Sequence, residues 1–412
     1  MPRAAVEVAV VVTNIPTNRM TSAILNDPVK GLFLLPNVSN MLLRILFVAC
    51  MLSSMLFSSV APSAILPKER SDVMYHRYDG GGMVIDGPSV LVRKNIANKV
   101  SLSGNYYVDH VSSASIDVIT SGASEYTEER KEYSVDAALL EGKSLINIGY
   151  TNSEESDYEA NAYRVDISQD FFGDMTTLSI GFSQADDEVR NNLDPSFEDT
   201  VDRRHYRFGL SQVFARFMVA SLNYEAISDE GFLNNPYRSV RFNDNSSQPE
   251  VYPRTRNSDA ISLKFAFHLP IDAAIKLRVS DFSDSWSIES NSIELEYSQK
   301  LKKNWLFDVR TRYYRQTSAR FYSDLFSATE TQNFRARDKE LSEFSNISLG
   351  FGVSYTHELN RFLDRIQAGL QFDYLFFDYD NFRDASVDAE LGSEPLYSFE
   401  AYALRVFTTL WY

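Results

Sequence analysis

The sequence predicts an all-β chain, a transmembrane antiparallel up-and-down β-barrel of about sixteen strands, with about fourteen as the fallback if one segment folds inside. Three observations predict it. Apolar and polar residues alternate with a period of two along most of the chain after Ala64, which places them on opposite faces of strands. Beyond the N-terminal region nothing approaches the ~20 consecutive apolar residues of a membrane helix, so a crossing there has to be made by a closed barrel. Short connections alternate with mostly longer ones, the pattern of periplasmic turns and outer loops.

Composition narrows the class. The chain has 412 residues, 44% hydrophobic and 13% aromatic, with 23 Tyr and 28 Phe, yet a mean hydropathy of -0.26. It is rich in rings without being greasy, and no linker rich in Pro, Gly or Ser divides the part after Ala64, which reads as one large unit. Cys50 is the single cysteine and lies in the N-terminal apolar run, which leaves neither a disulfide framework nor a thiolate metal site. With 56 acidic against 40 basic residues the net charge is -16, which argues against a nucleic-acid partner. The acidity concentrates in "NSEESDYEA" (152–160), "ADDEVRNNLDPSFEDTVD" (185–202) and "YDNFRDASVDAELGSE" (379–394), which read as solvated loops whose carboxylates could meet divalent cations at a lipopolysaccharide surface.

Taken in order, residues 1–40 show no pattern and read as an extension upstream of a start at Met41. Residues 41–64, "MLLRILFVACMLSSMLFSSVAPSA", carry Arg44, an apolar run and then small residues, as a cleaved secretory signal peptide does. The apolar run before Cys50 is too short for a lipoprotein anchor. Residues 65–412 form the barrel. Clear strands from about Met83 onward number roughly fifteen, whereas single-chain barrels have even counts, so "VMYHRYDGGG" (73–82) supplies the missing strand, with its glycines as an outer bend. Connections near Ala97, Gly142, Gly173, Phe214, Pro270, Lys302 and Asn360 are short; those near Ser121, Ser156, Leu193, Asn245, Ser285, Phe334 and Ala385 are mostly long.

The faces can be read strand by strand. "ISLKFAFHL", "AAIKLRVS", "NSIELEYSQ" and "NWLFDVRTRYY" put Leu263, Phe265, Phe267, Ile293, Leu295, Phe307 and Val309 on the lipid side. Lys264, Lys276, Arg278, Glu294, Glu296, Asp308, Arg310 and Arg312 fall on the other side, the lumen of a membrane barrel. Trp305, Tyr150, Tyr224, Tyr297, Tyr355 and Tyr374 sit near the ends of apolar faces, as interfacial girdles do. The last strand, "FEAYALRVFTTLWY", alternates to the final residue. With Leu410 and Tyr412 it resembles the C-terminal signal that barrel-assembly machinery reads.

"YHRYDGGGMVIDGPSVLVRK" (75–94), "NYYVDHVSSASIDVITSGASEYTEERKEYS" (105–134), "ISQDFFGD" (167–174), "LNNPYRSVRF" (233–242), "RYYRQTSARFYSDLF" (312–326) and "EPLYSFEAYAL" (394–404) resemble a family of Gram-negative outer-membrane proteins known only as a domain of unknown function. The resemblance covers nearly all of the mature chain. It implies an outer-membrane barrel in contact with lipid and lipopolysaccharide, a link to an extracytoplasmic redox or flavin-associated module, and no catalytic residues.

Motifs that carry chemistry are few. Gly80 to Gly82 is followed by no phosphate-loop motif, and His76, His110, His205, His268 and His357 show no metal-ligand spacing, so neither an enzyme nor a cofactor is expected. The most unusual stretch is "NPYRSVRFNDNSSQPEVYPRTRNS" (235–258), with Arg238, Arg241, Arg254 and Arg256 in an acidic protein and three prolines to stiffen it. Folded inward it would constrict a pore; folded outward its arginines would pair with acidic loops. Two functions follow: a porin-like channel or transporter for small solutes, or a scaffold barrel with a closed lumen.

Overall fold

The computed structural model describes residues 65–113, 126–329, 332–359 and 362–412. The leader, the upstream extension, Cys50 and the connection positions Ser121 and Asn360 lie outside the described residues. The strands are β1 (Arg70–Gly80), β2 (Met83–Ile96), β3 (Val100–Ser113), β4 (Tyr126–Glu141), β5 (Ser144–Glu154), β6 (Tyr158–Phe171), β7 (Thr176–Arg190), β8 (Glu198–Ala215) and β9 (Met218–Gly231). After a loop bearing the short hairpin β10 (Ser239–Arg241) and β11 (Ser247–Pro249) come β12 (Thr255–Leu269), β13 (Ala273–Asp284), β14 (Glu289–Leu301), β15 (Trp305–Gln316), β16 (Phe344–Glu358), β17 (Arg365–Arg383) and β18 (Leu396–Trp411).

Leaving out β10 and β11, the strands close into a single antiparallel barrel of sixteen. Each pairs with its neighbours in sequence, and the seam is the ladder from Arg70 opposite Trp411 to Gly80 opposite Ala401. The segment from Val73 is thus the climbing strand that parity demands. Its outer turn takes Gly81 and Gly82 at φ 60° and 76°, a left-handed pair that suits a two-residue hairpin and that side chains resist. The connections of β2 to β3, β4 to β5, β6 to β7, β8 to β9, β12 to β13 and β14 to β15 are short and lie at the end that holds both termini of the barrel; the large loops lie at the other, together with the tight β1–β2 and β5–β6 turns.

The exterior is apolar. Val135 and Ile148 are 61% and 55% exposed, and Ile180, Ile261, Leu295, Phe307, Val309 and Phe351 are exposed with them. A barrel that exposes such a belt buries it in hydrocarbon, and every barrel strand reaches or exceeds the ~9–11 residues a crossing needs. Rings pair across strands at the edges of this belt. Trp305 and Tyr355 lie 4.9 Å apart near the inner end, and Tyr150 and Tyr163 5.1 Å apart toward the outer end.

The acidic segments are a correction to the sequence reading. β5 runs to Glu154 and β6 restarts at Tyr158, so the connection at Ser156 is a three-residue turn; β7 continues to Arg190 and β17 to Arg383. Backbone pairing carries the ladders beyond the apolar belt, where neither face needs to be apolar, and the period that marks a strand disappears.

Candidate functional site: the lumen wall and the outer loop layer

All eight residues assigned to the lumen share the inner face of β12 to β15, in register. Lys276 bonds Glu296 at 2.6 Å, and Arg278 reaches Glu294 at 3.4 Å. Asp308 accepts from Ser298 Oγ at 2.5 Å, Arg310 bonds Asp373 at 2.7 Å, and Arg312 Nε donates to Ser292 Oγ at 3.3 Å. Lys264 stands between Ser221 and Arg278 and makes no ion pair among the described residues. The charges pair sideways, along the wall.

One device recurs. A carboxylate and a guanidinium two strands apart meet over a glycine on the strand between them, because that glycine has no Cβ to fill the space. Asp136 and Arg164 meet over Gly149, Asp166 and Arg207 (2.8 Å) over Gly181, and Arg310 and Asp373 over Gly350. The ladders place each trio in one row. His76 on β1 and Asp109 on β3 are also joined at 2.7 Å, past Gly87, whose missing Cβ makes room for the Val108 backbone; both are 1% exposed, with Tyr107 stacked on the imidazole at 4.8 Å and its hydroxyl 3.1 Å from Nε2. Asp373 also accepts from Arg405 at 3.1 Å, so the arginine of the last strand is held in the lumen.

The four loop arginines are paired with carboxylates of other elements at the outer end. Arg254 grips Asp199 through two bonds of 2.7 Å. Arg256 bonds Asp284 at 2.8 Å and lies 4.7 Å over Trp286. Arg238 pairs with Asp338, and Arg241 with both Asp324 and Glu394. Tyr237, four residues before Arg241, donates to Asp157 in the β5–β6 turn. That turn and the β17–β18 loop bearing Glu394 are rooted six strands apart the short way round. At ~4.8 Å per strand this is about 29 Å of wall, whereas four residues span at most about 14 Å. The loops therefore lean inward and meet over the opening.

The layer they form has its own core. Tyr252, Trp286, Phe321, Ala336 and Leu341 are buried together, and Val240, Phe242 and Phe326 make a second cluster. Val251 and Arg335 exchange backbone bonds of 2.9 and 2.8 Å. Below, an apolar patch on the lumenal face of the outer third, including Ile85, Leu375, Phe377 and the fully buried Phe382, takes the guanidinium of Arg337 over the Phe382 ring at 4.5 Å. Glu250 lies buried in this layer. It accepts from Tyr252 Oη and the Arg337 backbone N–H at 2.6 Å each, and burial beside Asp338 pushes its carboxyl up to about 7 against the pull of Arg238. A cavity of about 110 Å³ separates the 232–236 segment from β6 to β8.

At the inner end, Leu410 shares the outward face of Val406, and the hydroxyl of Tyr412 donates to Arg93 O at 3.1 Å, two strands away across the seam, with Lys94 5.0 Å over its ring. Sequence reasoning missed Asp373, Asp324, Glu394, Asp338, Glu250 and Arg337. Asp373 sits in "LQFDYLFFDY", apolar on both faces, so no period shows which side it takes; the others lie in loops, where only the surplus of arginines gave any signal. Among the described residues no group of His, Asp or Glu is arranged to hold a metal ion.

The family model described as protein of unknown function (DUF3570) matches residues 118–381. No curated protein matches the sequence. Among solved structures the chain is similar to a bacterial polysaccharide outer membrane secretin (8% identity, 84% of this chain and 100% of that one, TM-score 0.48). It is also similar to the siderophore receptor PirA of Pseudomonas aeruginosa (9%, 84% and 81%, 0.40) and to a loop-deleted OmpT of Vibrio cholerae (7%, 83% and 98%, 0.39).

Proposed function

Since the chain belongs to the family described as protein of unknown function (DUF3570) and closes into a sixteen-stranded barrel with an apolar belt, we propose that it is a porin-like channel of the Gram-negative outer membrane that passes small solutes. One observation carries this reading: apart from Lys264, the charges of β12 to β15 and their counterparts on β6 to β8 pair with neighbours on the same wall, so these pairs run along the wall and not across the axis. Part of this wall stays wet, with Arg164, Asp136 and Lys276 keeping 47%, 31% and 30% of their side chains exposed. Charged walls around water are how a barrel conducts polar solutes. The loop layer narrows the outer mouth, and the apolar patch beneath it rests against one side only, on β1 to β3 and β16 to β18.

A second reading has its own support. The loop layer is packed like a small domain, which fits a scaffold barrel whose outer surface serves a partner. Conductance decides between them. The refolded protein in planar bilayers is expected to give discrete steps in potassium chloride; a heat-modifiable barrel that inserts without conducting would overturn the channel and favour the scaffold.

A further inference from the structure

Cross-strand neighbours of opposite charge support each other, and like charges placed directly opposite work against the fold. On the lumenal face Lys264 of β12 and Arg278 of β13 stand directly opposite each other, and Lys276 follows two residues before Arg278 on the same face. The neighbouring carboxylates are two, Glu294 and Glu296, and both are engaged, by Arg278 at 3.4 Å and by Lys276 at 2.6 Å. Three cations against two anions leave one positive charge over, and Lys264 has no ion pair among the described residues.

A second observation falls at the same place. One step up the wall, Ser262 and Ser280 face each other in the ladder; they are 1% and 3% exposed, and neither hydroxyl has a hydrogen-bond partner. Buried hydroxyls are ordinarily bonded. The wall here offers the Lys264 ammonium with its three donors and two buried hydroxyls, beside the Arg278 guanidinium, and no carboxylate among the described residues pairs with that ammonium.

We infer that the Lys264–Arg278 pair with Ser262 and Ser280 is a subsite for a small oxyanion, of the phosphate, sulfate or carboxylate kind, on the path through the lumen. An oxyanion supplies negative charge between two facing cations and acceptor oxygens for the Lys264 ammonium and the two hydroxyls. The inference rests on the channel reading for its meaning, and its test is separable from that reading.

Inorganic phosphate is the probe. The full barrel refolded in detergent should broaden the phosphorus resonance of added phosphate, which reports binding whether or not the lumen conducts. Lys264→Gln should return the narrow line, and Glu296→Gln, which frees Lys276, should tighten binding by about fivefold. In planar bilayers, phosphate should reduce the chloride current, with the half-blocking concentration raised about fivefold by Lys264→Gln. Lys264-dependent binding in a barrel that passes no current leaves the subsite standing and removes the channel. A conducting barrel on which wild type and both variants bind phosphate alike, or not at all, overturns the subsite and leaves the channel. If Lys264→Gln does not reach the heat-modifiable form, the Glu296→Gln arm decides alone, and unchanged binding overturns the subsite.

Discussion

At Gly350 an added methyl group would collide with the carboxylate of Asp373, so Gly350→Ala should separate Asp373 from Arg310. Arg405 still holds that carboxylate, which limits the expected loss to about 1–3 kcal/mol of barrel stability, read from the temperature at which the refolded band shifts on a gel. Gly104→Ala is the control, since nothing but Ser134 O lies within 4 Å of the new carbon; equal damage there would sink the glycine argument. The neighbours Phe265 and Lys264 test the two faces. Phe265→Arg puts a charge into hydrocarbon and should cost about 2–4 kcal/mol, whereas Lys264→Ala removes one of two facing cations and should be neutral or slightly stabilising in the same melting assay. These faces were readable because "ISLKFAFHL" alternates without a break. The bridges over glycine were not, since they join residues with the register of three strands between them.

The strands divide into a part that was legible and a part that was not. Within the apolar belt one face must meet lipid, so the period of two survives; roughly fifteen crossings can be counted from it, and the sixteenth follows from the even count. Above the belt β5, β6, β7 and β17 continue as ladders in which neither face has to meet lipid, and their acidic sequences look like loops. The last strand is legible for a different reason: it has to close the barrel. Tyr412 ties β18 across β1 to the carbonyl of Arg93 on β2, so its side chain staples the seam besides ending the chain. Deleting Tyr412, or Tyr412→Ser, should lower the melting point of barrel refolded in detergent only modestly, the ring being worth about 1–3 kcal/mol. It should reduce the amount reaching the membrane in cells much more, if assembly reads the terminal aromatic. Normal membrane levels of the truncated chain would leave Tyr412 as a seam contact and nothing else.

Across the whole molecule, the loop layer is what turns a set of strands into a guarded barrel, and the sequence announced only its arginines. Its contacts join residues such as Phe242 with Phe326 and Val251 with Arg335, more than eighty positions apart with no local period to betray them. Removing all four arginines (Arg238, Arg241, Arg254 and Arg256 to Gln) should therefore speed proteolysis of the outer loops several-fold while the strands stay protected. A change of ion selectivity with no change in proteolysis would place those arginines in the current path instead. Protons should act on the same layer through Glu250. Burial, and then the charge of Asp338, raise its carboxyl from 4.5 to about 7, against the opposite pull of Arg238 and of the bonds from Tyr252 and the Arg337 backbone. The packed layer thus binds this proton more tightly than an opened loop does. Its contribution is complete below about pH 4.5, falls as pH rises, and is gone above about pH 7. Glu394 works in the other direction: burial raises its carboxyl, but the bonds from Arg241 outweigh burial and hold it below its ordinary value, so that pair is lost in strong acid. Loop cleavage, normalised at each pH to an unfolded substrate, should be slowest near about pH 5 and faster toward pH 8. Glu250→Gln carries no such proton and should abolish the alkaline rise while leaving the acid limb in place. An alkaline rise that persists unchanged in Glu250→Gln would show that the layer loosens through some other group.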